Sequence, residues 1–367
     1  MRSAKPNIFI IAFLITLLGI LSIYSSTFQK EGRLWEDIYK KQTLWVALGM
    51  IIFIIISNIS YRRFWDWTYP MYAAGLFLLL LVFILGVVRL GAQRWLKIAW
   101  FNFQPSEFAK LTTVIFLARY FSKKSPNEIT LSSRRFGIFR GILLPFVFVA
   151  IPMFLIMEQP DLGSAAMIFF VFLALLYLTE IRLKYINIFL FAVLFSFPIL
   201  WRVLKEYQKQ RLLVFLNPNI DPLGAGYTVI QSRIAIGSGG LFGKGWMAGT
   251  QSQLHFLPES HTDFIFATFA EQWGFLGSLA LLLLYFLLIR QGFIIAGRTQ
   301  DTFGKLLACG ITLMLNLQIL VNLAMTMGAA PVVGLPLPLM SYGGSSVVTT
   351  FFALGILVSI DRERAVF

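Results

Sequence analysis

Apolar runs of roughly 20 residues recur along the chain, each long enough to cross the hydrocarbon core of a bilayer as a helix. Candidate spans are Asn7–Ser25, Thr43–Ile59, Tyr69–Val88, Pro105–Phe121, Gly141–Met157, Asp161–Thr179 and Tyr185–Trp201. After a polar, glycine-rich segment come Phe264–Ile289, Thr302–Met327 and Ser341–Ile360. The expected fold is an all-α polytopic integral membrane protein of about ten transmembrane helices. It forms a single membrane domain over 1–367, with one large extracytoplasmic loop, 202–263, between spans seven and eight. Only 13% of residues are charged, about half the share in an ordinary soluble domain, so a soluble globule is excluded. Arg2 and Lys5 precede the first run as in a secretory signal. That run is too long for a signal core and many more follow, so it reads as an uncleaved first helix.

Lys and Arg number 31 against 17 Asp and Glu, a net charge of +14. In a soluble chain this excess would point to nucleic acid. Here the bases lie in short loops, where the positive-inside rule, anionic headgroups or an anionic lipid substrate account for them, and no nucleic-acid partner is expected. An even number of spans puts both termini on one side. With the N-terminus inside, 17 Lys and Arg are cytoplasmic and 13 outside, and six of those 13 belong to 202–263. Loops of that length obey the charge rule weakly, so cytoplasmic termini are expected and the long segment faces outward. A single cysteine, Cys309, excludes an intrachain disulfide and argues against thiol chemistry.

The outer segment holds Arg211, the turn-rich stretch Asn217–Gly226, the run Ile236–Gly245 with Lys244, and Gly249-Thr-Gln-Ser-Gln253. Such glycines let backbone N–H groups converge on an anion or let a loop turn tightly, and the second reading is favoured. Lys244 belongs to no phosphate-binding loop of the Walker type, because Ser238 stands where the first glycine belongs and Gly245 follows the lysine. No nucleotide or organic cofactor is expected. The segment ends Leu257-Pro-Glu-Ser-His-Thr-Asp263. Asp263 either caps the eighth span or stands as a partly desolvated carboxylate able to take a proton or hold a divalent cation, and spacing leaves both open. His255 and His261 lack zinc-ligand spacing.

Glu107 and Lys110 lie three apart in the fourth span, on one helical face, and either pair with each other or line a polar cavity for a charged substrate. Arg94, on an outer loop, suits a phosphate or a headgroup. Asp161, in the short link Glu158-Gln-Pro-Asp161, caps span six or acts on substrate, with the cap favoured. Asn316, Gln318 and Asn322 in span nine read as interhelical hydrogen-bonding groups. Gly334-Leu-Pro-Leu-Pro338 and Ser341-Tyr-Gly-Gly-Ser345-Ser346 form non-helical backbone, which at membrane depth is tolerated only inside protein or along a cavity.

Five stretches together resemble the SEDS family (shape, elongation, division and sporulation), the polytopic peptidoglycan polymerases of bacterial cell-wall synthesis. They are Gln104-Pro-Ser-Glu-Phe-Ala-Lys110, Gln159-Pro-Asp-Leu-Gly163, Ile234-Ala-Ile-Gly-Ser-Gly-Gly240, Leu257–Phe266 and Gly334–Ser346, and they extend through most of the chain in the family's order. Gly243-Lys-Gly245 with Gly249–Gln253 looks like the elongation-type, rod-shape branch rather than the division branch. One departure is Gln272, after Glu271, where a second acidic residue is expected.

The resemblance implies a ten-span glycosyltransferase that polymerises lipid II, a disaccharide-pentapeptide on undecaprenyl pyrophosphate. It would act on the outer face of the bacterial cytoplasmic (inner) membrane during cell elongation, with Asp263 as catalytic residue. The implied partners are a class B penicillin-binding protein transpeptidase and other elongation-machinery proteins. The residue inventory suits this chemistry, because pyrophosphate is a good leaving group and the protonated second carboxylic acid of glycosidases is not required. Asp263 is expected to act as base, or as ligand of Mg²⁺ or Mn²⁺. Lys110, Arg94 and Arg211 would offset the pyrophosphate charge, Glu107 would orient Lys110, and Asp161, Lys244, Ser345 and Ser346 complete the candidate substrate contacts. Rival readings are a lipid II flippase, which needs a cavity open alternately to both sides, and a non-catalytic scaffold for the transpeptidase, in which Asp263 is replaceable.

Overall fold

The computed structural model describes residues 5–28, 37–89, 92–98, 101–122, 138–179, 181, 183–196, 198, 201–202, 204–222, 224–254 and 256–364. A helix stands at each of the ten expected positions: α1 (Lys5–Thr27), α2 (Ile38–Asn58), α3 (Arg62–Leu85), α4 (Pro105–Ser122), α5 (Leu144–Glu158, entered through a π turn, Phe139–Leu143), α6 (Leu162–Leu178) and α7 (Leu183–Phe195), followed by α11 (Ile265–Arg298), α12 (Thr302–Thr326) and α13 (Gly344–Arg364). The expected loop 202–263 contains helices α8 (Glu206–Leu216), α9 (Ala225–Ser238) and the single turn α10 (Thr250–Gln253). Among the described residues, seven helices are long and apolar enough to cross a membrane, and α6 and α7 are shorter apolar helices. Helix α4 differs in carrying Glu107, Lys110 and Arg119.

The chain forms two compact units: Met1–Ile55 with Tyr207–Gln291 and Leu315–Gly355, and Ile56–Glu206 with Gly292–Met314 and Ile356–Phe367. In the first, α1 is apolar all round. It buries Ile8, Ile11, Ala12, Ile15, Gly19 and Ile23 at three- and four-residue spacing, while Ile10, Phe13, Leu14 and Leu17 stay exposed. An exposed face as apolar as the buried one is what a lipid-facing helix requires. Several of its buried hydroxyls bond back to the helix, among them Thr16 to Ala12 O (3.0 Å) and Ser22 to Leu18 O (2.8 Å), which satisfies those donors within apolar surroundings. Phe53 packs edge-on against Phe351 at 6.4 Å.

In the second unit α4 is buried on nearly every side, from Leu111 through Ala118, and this interior placement lets it carry charge. Tyr72 stacks on Phe116 at 4.6 Å, and its hydroxyl donates to Phe148 O at 2.5 Å. Phe146, Phe172 and Phe189 form a second aromatic cluster.

A small antiparallel sheet, absent from the all-helical expectation, joins α3 to α4. Its strands β1 (Gly86–Arg89), β2 (Ala92–Ile98) and β3 (Phe101–Phe103) pair in the order β1-β2-β3, with Gly86 opposite Leu96 and Leu96 opposite Phe103. The side-chain amide of Gln93 donates to Val82 O (2.9 Å) and Gly86 O (3.0 Å), tying β2 back to the end of α3, where Val82 O also accepts from Gly86 N.

Candidate active site

In the first unit, two non-helical segments, Leu257–Asp263 and Gly334–Gly343, are laced together by buried side chains that bond to backbone. The Ser341 hydroxyl donates to Thr262 O (2.6 Å) and accepts from Leu337 N (2.8 Å). The Asn322 amide donates to Asp263 O (3.0 Å) and Leu335 O (2.7 Å). Gln42 donates to Ser341 O (3.1 Å) and accepts from Gly343 N (3.2 Å). Tyr285 donates to Pro338 O and Gln318 to Pro336 O. Irregular backbone at membrane depth needs this full set of partners. The lacing also holds Glu259 (φ 50°) and Leu339 (φ 66°) in the left-handed region, a strain of about 1–3 kcal/mol each that persists only where surroundings over-determine it.

Asp263 is half-buried. Helix α11 begins at Ile265, and the Phe264 carbonyl accepts from Ala267 N (3.0 Å) and Thr268 N (3.3 Å). The cap position therefore falls to Phe264, and Asp263 stands one residue outside it. There the positive end of the helix dipole favours an anionic carboxylate. Ser345 and Ser346 open α13, with Ser346 buried. Arg211 lies on α8 with its guanidinium 6.0 Å from the Tyr207 ring. Lys244 pairs with Glu271 at 2.8 Å. His261 is buried beside Tyr342, and His255 lies outside the described residues.

In the second unit, Glu107 and Lys110 pair at 2.8 Å with side chains 4% and 2% exposed. Lys110 also lines a small cavity with Thr113, Val114, Met167 and Val171. Asp161 caps α6, accepting from Ser164 N (3.1 Å), and is also reached by the Ser106 hydroxyl (3.3 Å) and the Gln104 amide (3.4 Å). A carboxylate 2% exposed with three donors is held in one place. Arg94 does not extend from the sheet into solvent. It donates to Gln159 O (3.0 Å) and Pro160 O, bracing the link that carries Asp161.

Sequence reasoning missed Gln42 altogether, and it named Ser341 only as part of a motif. Neither Gln42 nor the segment it holds carries a local signal, because the partners are about 300 residues apart. Among the described residues no three His, Cys, Asp or Glu side chains converge on a metal position.

Residues 5–366 match the FtsW/RodA/SpoVE family of cell cycle proteins. The chain is 41% identical over 361 residues to the peptidoglycan glycosyltransferase MrdB of Escherichia coli K12, covering 98% of this chain and 94% of that protein. It is 33% identical to the peptidoglycan glycosyltransferase RodA of Treponema pallidum, with 95% of each covered. Among solved structures, it superposes with a TM-score of 0.80 and 32% identity on a chain from a study of how a peptidoglycan synthase complex coordinates polymerization and crosslinking, covering 98% of this chain and 97% of that one. The Thermus thermophilus rod shape determining protein RodA matches with a TM-score of 0.70 and 28% identity over 98% of this chain and 96% of that one. Family, length and architecture agree, and the chain belongs to the FtsW/RodA/SpoVE family.

Proposed function

We propose that this chain is a peptidoglycan glycosyltransferase that polymerises lipid II at the outer face of the bacterial cytoplasmic membrane during cell elongation, with both termini cytoplasmic. Asp263 is its reactive carboxylate. The observation that carries this reading is the mounting of Asp263: its own carbonyl is pinned by Asn322, its neighbour's by Ser341, and it stands outside the helix cap. The curated names of the relatives supply the reaction class.

In the proposed step Asp263 takes the proton of the acceptor sugar 4-hydroxyl as that oxygen attacks the donor anomeric carbon. The new glycosidic bond forms with inversion while the bond from that carbon to the pyrophosphate oxygen breaks. Undecaprenyl pyrophosphate leaves with the bonding electrons. Lys110 is the candidate counter-charge for the pyrophosphate and Glu107 orients it, while Arg211, Ser345 and Ser346 remain candidate substrate contacts. Arg94 supports the link that holds Asp161. A divalent Mg²⁺ or Mn²⁺ fits only as an ion held by the single carboxylate of Asp263 together with phosphate oxygens and water, the usual mode for Mg²⁺, and it would supply charge to the leaving group. A class B penicillin-binding protein is the proposed partner.

The test is polymerisation of lipid II by the purified full-length chain, with and without its cognate transpeptidase and with and without Mn²⁺ or Mg²⁺. Long glycan is expected. Absence of polymer in protein that binds lipid II and the transpeptidase would move the chain to transport or scaffolding.

A further inference from the structure

Helix α11 is broken at Gly274, eleven residues after Asp263, and a separate loop fills the break. Gly274 has φ 65° and ψ −161°, outside any helical conformation. In an unbroken helix the N–H groups of Phe275 and Leu276 would donate to the carbonyls of Glu271 and Gln272, four residues back. All four groups instead turn to the glycine-rich loop. Lys244 N donates to Glu271 O (3.0 Å) and Gly245 N to Gln272 O (3.1 Å), while Phe275 N donates to Gly240 O (2.9 Å) and Leu276 N to Gly240's neighbour Leu241 O (3.1 Å). The approach is close enough that a Cβ on Gly274 would collide with Gly243 N, and a Cβ on Gly243, itself at φ 82°, with Gln272 O.

Side chains lock the same junction. Lys244 Nζ lies 2.8 Å from Glu271 Oε1 and donates to Thr250 Oγ1 at 2.8 Å. Thr250 Oγ1 (3.1 Å) and Gln251 N (3.0 Å) donate to the same Glu271 oxygen. Glu271 is fully buried and Lys244 is 28% exposed. A buried carboxylate with one cationic partner depends on it strongly, because removing that partner strands the charge.

We infer that Lys244 and Glu271 are positioning residues for the reaction: their ion pair seals the glycine loop into the break, so that the half-helix Ile265–Trp273 is fixed at both ends and Asp263, just before its first turn, is held in place. This rests on the reading of Asp263 as the reactive carboxylate. It also turns Lys244 from a candidate substrate contact into a residue that acts through the helix.

The test compares full-length wild type with Asp263→Asn, Lys244→Met, Lys244→Arg, Glu271→Gln and the double variant Lys244→Met/Glu271→Gln. Lipid II polymerisation is followed against substrate concentration and normalised to folded protein by size exclusion and thermal midpoint. Lys244→Met is expected to lower kcat roughly 10- to 100-fold, the scale of a small misplacement of a reacting group, with half-saturating lipid II unchanged. Lys244→Arg keeps most activity. The double variant recovers part of the loss, because no buried charge is left unpaired. Hydrogen exchange should quicken across Ile265–Trp273 in Lys244→Met while α12 keeps wild-type protection. A kcat deficit that vanishes on normalisation, or a raised half-saturation with unchanged kcat, overturns the inference and returns Lys244 to substrate contact or plain stability. A fully active Asp263→Asn removes the reading of Asp263 and the inference with it, whereas normal dependence on Asp263 with unimpaired Lys244→Met overturns the inference alone.

Discussion

At the scale of single residues, the polar groups in this apolar chain are where cost and function meet. The Glu107–Lys110 pair, with side chains 4% and 2% exposed, gains its stability only while both charges are present. Lys110→Met should therefore destabilise the protein by about 3–5 kcal/mol by stranding Glu107, whereas Lys110→Met with Glu107→Gln should restore most of the stability. Thermal midpoints of the two variants check this, and equal midpoints would contradict it. Asn322→Ala leaves the buried carbonyl of Leu335 and the half-buried carbonyl of Asp263 without their side-chain donor, at a cost of about 1–3 kcal/mol. Its melting temperature should fall while conservative surface changes on α12 leave it unmoved. The spacing of Glu107 and Lys110 on one helical face was legible in the sequence because the interaction is local. The role of Gln42 was not, because its partners at Ser341 and Gly343 come from the far end of the chain.

At the scale of elements, length and apolar content locate helices well, since a helix in lipid satisfies its own backbone and needs no partner to be recognised. The predicted third span ran on through Val88, whereas α3 stops at Leu85. Gly86, Val87 and Val88 are apolar enough to extend a hydropathy window, yet they form β1 paired with β2, and Gln93 of β2 ties the turn to the end of α3 through Val82 O. The break in α11 was invisible for a related reason. Glycine is common in membrane helices, and what makes Gly274 a break is the backbone of Gly243, supplied from outside the helix. The cap reading of Asp161 was legible and correct; its further donors, Ser106 and Gln104, come from the start of α4. Asp161→Ala should cost about 0.5–2 kcal/mol from the cap alone, and more if those donors are left unsatisfied. Asp161→Asn, which keeps an acceptor for Ser164 N, should recover part of the loss in the same unfolding assay.

At the scale of the whole molecule, the family is established by a match over residues 5–366, and the multi-pass character by apolar helices repeated along the chain. Orientation rests on charge asymmetry and is directly testable. The lone cysteine, buried Cys309, can be replaced by alanine to give a silent background. In that background a membrane-impermeant maleimide should label Trp246→Cys in intact spheroplasts and Gln300→Cys only after permeabilisation. The reverse pattern would invert the topology and place Asp263 on the side away from the growing wall.

In the proposed function one carboxylate, mounted by Asn322 and the Gly334–Gly343 segment, performs the chemistry. The most direct measurement is the polymerisation rate of Asp263→Asn beside wild type, in protein matched for folding, lipid II binding and transpeptidase binding. Asparagine, which keeps the shape but cannot take the proton, is expected to abolish glycan formation while all three controls stay intact. A rate within a few fold of wild type would contradict it.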